Sequence, residues 1–104
     1  MSKRARDGQR PLVLCLYVGG DSPNSMLARR NLGAALAHLS PDLVSLEIVD
    51  VLQDPDRALS VGVIVTPTLI KVSPPPERRV IGTLHDAQLL AASLGIDSPP
   101  VPRG

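Results

Sequence analysis

The segment from Thr66 to Gly82 constrains this chain more than any other. A Thr66-Pro67 step opens the run Thr68-Leu69-Ile70-Lys71-Val72, which stops at Pro74-Pro75-Pro76 before Arg78-Arg79-Val80-Ile81-Gly82. Proline has no N–H and a fixed φ, so Pro67 belongs at the mouth of a strand and the triplet lies outside any ladder. X-Pro bonds interconvert over roughly tens to hundreds of seconds. Four of them between Pro67 and Pro76 therefore make any rearrangement of this segment slow. The pattern argues against an enzyme.

The rest of the sequence punctuates clearly. Leu12 to Val18 is a continuous apolar run between Pro11 and Gly19-Gly20, which suits a central strand buried on both faces. Ser22-Pro23 is a cap followed by a favoured first helical residue. It predicts a helix to about Leu39 with Ala28, Leu32, Ala35 and Leu36 on the packed side. Val44 to Val51 reads as a second strand, and Asp54-Pro55 opens a short helix to about Val61, closed by Gly62. Thr68 to Val72 and Arg79 to Ile81 pair as a hairpin, and a last helix runs from about Asp86 to Leu94 with Gly95 as its stop. The order βαβαββα, with Thr-Pro entering the third strand, resembles the thioredoxin-like α/β fold with a mixed sheet. The expected organisation is a basic flexible start over residues 1–10, one domain over residues 11–96 and a proline-rich disordered tail over residues 97–104.

Composition narrows the function. Tyr17 is the only aromatic residue and the formal charge is +1, a poor basis for base stacking or for general polyanion binding, so no nucleic acid is expected. No apolar run approaches the roughly 20 residues of a spanning helix, and no leader is legible, so a cytoplasmic chain without membrane contact is expected.

Chemistry for catalysis is missing where such a fold would hold it. Redox proteins of this kind carry Cys-x-x-Cys between the first strand and the first helix, where the helix N-terminus activates a thiol. Here that place reads Gly20-Asp21-Ser22-Pro23-Asn24, and the one cysteine, Cys15, falls mid-strand as a small buried hydrophobe. Ser22 is a cap before it is a hydroxyl donor to a glutathione thiolate, so a glutathione or thiol redox enzyme is the weakest alternative. His38 reads as a dipole partner at the end of the first helix and His85 as a surface residue. Asp54 and Asp56 read as helix-start residues, so no metal or catalytic site is expected. Binding features are easier to find. The second strand is expected at a sheet edge, where Val44, Ser45, Glu47 and Ile48 present backbone groups to a partner strand. Replacing Ser45 or Glu47 by proline is the expected way to block it. Arg78 and Arg79 offer charge to an acidic surface.

Four blocks now stand together: Leu14-Cys15-Leu16-Tyr17-Val18-Gly19-Gly20, Pro23-Asn24-Ser25, Ile48-Val49-Asp50-Val51-Leu52 with Asp54-Pro55, and the proline-arginine block ending in Gly82. They resemble the KaiB family of circadian clock proteins over about Leu12 to Leu94. The N-terminal sensor domain of the histidine kinase SasA is similar, although the proline triplet before paired arginines is more typical of KaiB. The resemblance implies a non-enzymatic clock or timer component without cofactor. It would bind the KaiC ATPase ring, regulate its phosphorylation cycle and, in complete clocks, help to sequester KaiA. A sensor or adaptor domain for a SasA-like histidine kinase is the alternative. The family also implies slow switching between a thioredoxin-like monomer and a second fold, a homo-oligomer (dimer or tetramer), with Pro67, Pro74, Pro75 and Pro76 as the gate. This chain has Thr83-Leu84-His85 where family members carry Asp-Leu-Ser, and Gly62 near the place of a usual lysine. Its short proline-rich end lacks the usual acidic tail, which makes the thioredoxin-like form the expected resting one.

Overall fold

The computed structural model describes residues 11–96, so the expectations for residues 1–10 and 97–104 lie outside the described residues. Four strands form one mixed sheet in the order β2-β1-β3-β4: β1 Leu12–Val18, β2 Val44–Asp50, β3 Thr68–Ser73 and β4 Arg78–Ile81. β1 pairs parallel with β2 and antiparallel with β3, and β3 pairs antiparallel with β4. The apolar β1 run is thus central, and β2 stands at an edge as the sequence requires. The helices are α1 Pro23–Leu36, α2 Pro55–Ser60 and α3 Ala87–Leu94, with a 3₁₀ turn at Pro41–Leu43 before β2.

Because strand side chains alternate between faces, β1 feeds two cores. Leu12, Leu14, Leu16 and Val18 pack with Ala28, Leu32 and Ala35 of α1, Leu69 of β3, and Leu90 and Leu94 of α3. Cys15 and Tyr17 face the other way, with Val49, Ile70, Val63 and Ala58 of α2. The first face carries two helices and the second only the six-residue α2. Asn31 Nδ2 ties α1 to the β4–α3 connection through the Thr83 carbonyl at 2.9 Å.

Several boundaries move. α1 ends at Leu36 rather than Leu39, so His38 lies in the turn just past the Ala37 cap rather than inside the last helical turn. Apolar spacing continues to Leu39, but Leu39 packs on the core from the turn instead of extending the helix. Asp54 occupies the α2 N-cap position without a side-chain cap bond, whereas Asp86 caps α3 by accepting from the Leu89 N–H at 3.0 Å. Gly95 then ends α3 in the left-handed conformation at φ 73°. β4 starts one residue earlier than its β-branched pattern, with Arg78 paired to Lys71, and β3 runs on to Ser73 because that residue pairs with Val13 of β1.

Candidate functional site

The C-terminal ends of β1 and β2, the start of β3 and the N-terminus of α1 converge at one end of the sheet. Open α/β sheets bind ligands and partners at such an end. Gly19-Gly20 makes the turn there. A Cβ on Gly19 would sit 2.8 Å from Thr66 Oγ1, and Gly20 has φ +59°, so this turn admits little but glycine. Asp50 holds it closed, its Oδ1 accepting from the N–H groups of Gly20 at 3.0 Å and Leu52 at 2.9 Å. Pro67 is buried, follows a cis peptide bond and accepts from the Gly82 N–H at 3.0 Å.

Two hydroxyls stand where a thiol pair would be. Ser22 Oγ accepts from the Ser25 N–H at 3.3 Å and donates to Ser25 Oγ at 2.9 Å. Ser25 Oγ, wholly buried, accepts from the Gly19 N–H at 3.0 Å. The Ser22 proton is therefore committed inside the cap, and neither oxygen has a base beside it. Cys15 is buried under α2, and burial pushes its thiol above the ordinary range, away from reactivity. Burial also raises the Tyr17 phenol.

What this end does present is apolar surface. Ile64 is 90% exposed, Leu52 74% and Leu59 70%, with Val65, Val61 and Met26 also exposed. Large aliphatic side chains gathered this way mark a protein-binding surface more often than a catalytic one. Two arginines brace the α2 side of it. Arg57 makes a bidentate ion pair with Glu47 of β2, its Nη2 lying 2.8 Å from Glu47 Oε1. That pair holds the Glu47 carboxyl below its ordinary value and raises the guanidinium. Arg79 Nη2 donates to the Val61 carbonyl at 2.6 Å and its Nε to Glu77 at 3.3 Å. One polar tie from each edge strand thus fixes α2 over the second core.

The sequence-predicted binding residues are not brought together. Val44, Ser45, Glu47 and Ile48 lie on the β2 edge, and Arg78 and Arg79 on the β4 edge, with two strands between. Pro67 stands at one end of β3, whereas Pro74, Pro75 and Pro76 form the connection at the other, with further cis bonds at Ser73-Pro74 and Pro75-Pro76. Along β2 the Val51 N–H donates to the Val18 carbonyl at 2.9 Å. Parallel ladders alternate, so Ser45, Glu47 and Val49 also bond toward β1, and Val44, Leu46 and Ile48 turn their backbone groups outward. Sequence reasoning missed Ser25, Asp50, Leu52 and Ile64. The signal for Ser25 was available, because Ser22-x-x-Ser25 repeats the spacing of the absent thiol pair.

Comparison with known proteins gives the family and the fold. The sequence model of the KaiB domain matches residues 15–96. Circadian clock oscillator protein KaiB of Prochlorococcus marinus strain MIT 9313 is 38% identical over 88 residues, covering 85% of this chain and 74% of the relative. Among solved structures, the N-terminal domain of Synechococcus elongatus SasA superposes with a TM-score of 0.67 at 26% identity, covering 91% of each chain. Mitochondrial thioredoxin 3 of Saccharomyces cerevisiae reaches a TM-score of 0.67 at 16% identity, covering 84% of this chain and 79% of its own, a likeness of fold alone. A thioredoxin-like framework whose thiol positions hold capping serines, matched over most of its length by clock proteins, has one reading: the chain belongs to the KaiB family of circadian clock proteins.

Proposed function

We propose that this chain is a non-enzymatic regulator that binds the KaiC ATPase ring and modulates its phosphorylation cycle. The observation that carries the reading is the exchange of chemistry for surface at one end of the sheet. Ser22 and Ser25 are consumed by capping, while Leu52 beside Gly20, and Ile64 and Val65 just before the Thr66 that meets Gly19, stand exposed. This apolar end is the KaiC-binding surface, and the outward β2 edge at Leu46 and Ile48 takes a second partner, KaiA where the host has one. Slow exchange with a second, oligomeric fold belongs to the same reading. Pro67 and Pro74 to Pro76 bound β3, the segment such a switch repacks, and two packings need differ by only a few kcal/mol.

The test mixes the purified chain with KaiC and ATP, resolves complexes by size-exclusion chromatography and follows KaiC phosphorylation. A complex is expected that Ile64→Glu and Leu52→Glu weaken without unfolding the chain. Absence of a complex at micromolar concentrations over hours, or indifference to both substitutions, overturns it. The SasA domain match favours a second reading, a free-standing sensor or adaptor for a histidine kinase. Binding to such a kinase in the absence of KaiC is its distinguishing result.

A further inference from the structure

The edge opposite β2 carries its own docking geometry. β4 has no neighbour beyond it among the described residues. The register Leu69↔Val80 and Lys71↔Arg78, with the Gly82 N–H bonded to the Pro67 carbonyl, fixes which backbone groups face β3. In an antiparallel ladder these alternate, so Arg78, Val80 and Gly82 bond inward, and the N–H and C=O groups of Arg79 and Ile81 point out. Beside them lies a groove of about 120 Å³ lined by Val80, Ile81, Leu84, Leu89 and Leu90, with Ile81 66% and Leu89 56% exposed.

Charge selects the occupant. Antiparallel pairing of β4 with a second copy of itself would bring Arg78 and Arg79 of both chains onto one short ladder, and like charges across a strand pair are destabilising. Arg79 is already tied to Glu77 and to the Val61 carbonyl, and the Arg78 guanidinium beside it is the charge that attracts a carboxylate. We propose that the β4 edge is a docking site for an extended acidic peptide segment of a partner protein, added antiparallel to β4. Side-chain alternation then dictates its sequence. Cross-strand neighbours share a face, so the residue opposite Val80 is apolar and reaches the groove on the α3 side, the residue opposite Arg78 on that same side is acidic, and the residue opposite Ile81 on the other face is apolar, giving the order apolar-apolar-x-acidic with x opposite Arg79. This site uses the outward backbone of β4, which is neither the β2 edge nor one of the residues given to KaiC binding, so it stands or falls independently of which clock protein binds there.

The experiment titrates the full chain with a fluorescein-labelled hexapeptide Thr-Ile-Val-Glu-Glu-Thr, read by anisotropy at low and moderate salt. Binding is expected, with loss on replacing both glutamates by lysine and loss on N-methylating the peptide at alternate residues, a change that leaves the protein untouched. The Arg78 side chain makes no hydrogen bond or ion pair among the described residues, unlike that of Arg79, so Arg78→Glu should weaken binding about tenfold without disturbing α2. Amide exchange at Arg79 and Ile81 should slow in the complex while that at Leu46 and Ile48 is unchanged. No binding, binding indifferent to N-methylation or to Arg78→Glu, or protection appearing on β2 instead, overturns the proposal. Dimerisation of the chain through β4 overturns it as well.

Discussion

Ser25→Ala isolates the interaction that replaces the thiol chemistry. The side chain is fully buried, and its Oγ serves both the Gly19 N–H at 3.0 Å and the Ser22 hydroxyl at 2.9 Å. Alanine leaves the half-buried Gly19 N–H without its acceptor, a cost of about 1–3 kcal/mol. The helix cap itself survives, because Ser22 still accepts from the backbone N–H of residue 25. The small void adds little, so about 2 kcal/mol is expected, or about 10 °C in Tm for a domain of this size. Urea unfolding followed by far-ultraviolet circular dichroism measures it, with a lower midpoint at unchanged slope. Ser22→Ala loses the cap instead, about 1 kcal/mol, and because the two hydroxyls touch, the double variant should lose less than the sum. The Gly19 amide should exchange faster in Ser25→Ala alone. A Tm change below about 3 °C, or full additivity in the double variant, would refute the claim that these serines form one buried unit.

Further outcomes follow from the ties around α2 and β2. Leu46→Pro and Ile48→Pro remove outward N–H groups and should abolish partner addition at β2 with KaiC binding kept, whereas Glu47→Pro breaks an inward ladder bond and should also cost about 1–3 kcal/mol in urea unfolding. Arg57 depresses the Glu47 carboxyl, so the pair's contribution is present above the ordinary carboxylate value and is lost as pH falls through the lowered one. Carboxyl NMR titration should place Glu47 below the ordinary glutamate range and move it back up in Arg57→Ala. The buried Cys15 thiol should react with a disulfide reagent far more slowly than free cysteine, and faster in Arg57→Ala or Arg79→Ala, which release α2. Equal rates in all variants would show that α2 does not guard it.

Elements were legible where local signals coincide with tertiary demand. β1 announces itself by an unbroken apolar run, and α1 and α3 by a cap residue before helical spacing, because burial and capping are written in residue type. Helix ends were harder: Leu39 satisfies the apolar period of α1 yet packs from a turn, and Asp54 has the identity of a cap without the bond. The binding edge was legible as an edge, but its phase was not. Ser45 and Glu47 look like the exposed positions because their side chains are polar. The backbone groups that face outward belong to Val44, Leu46 and Ile48, whose side chains are apolar. Side-chain polarity and backbone direction are set independently on an edge strand, so only the register to β1 resolves them.

The replacement of thiols by hydroxyls also explains why the apolar surface sits at this end. A thiol at position 22 needs an open approach and an unpaired helix N-terminus to stay reactive, which keeps the surrounding surface shaped for passing substrates. Once Ser22 closes onto Ser25 and Asp50 closes the Gly19-Gly20 turn, the Gly19, Gly20, Ser25 and Met26 N–H groups and the Ser22 hydroxyl have partners within the protein. The surface above them then needs no water and tolerates Leu52 and Ile64 in the open, where desolvating them against a partner yields about 25 cal/mol for each Å² buried. Restoring Ser22→Cys and Ser25→Cys together should therefore recover a disulfide across a pair whose oxygens already lie 2.9 Å apart, and cost partner affinity by reopening the cap. A double variant that forms the disulfide yet binds its clock partner unchanged would show that the surface, and not the closed cap beneath it, sets the interaction.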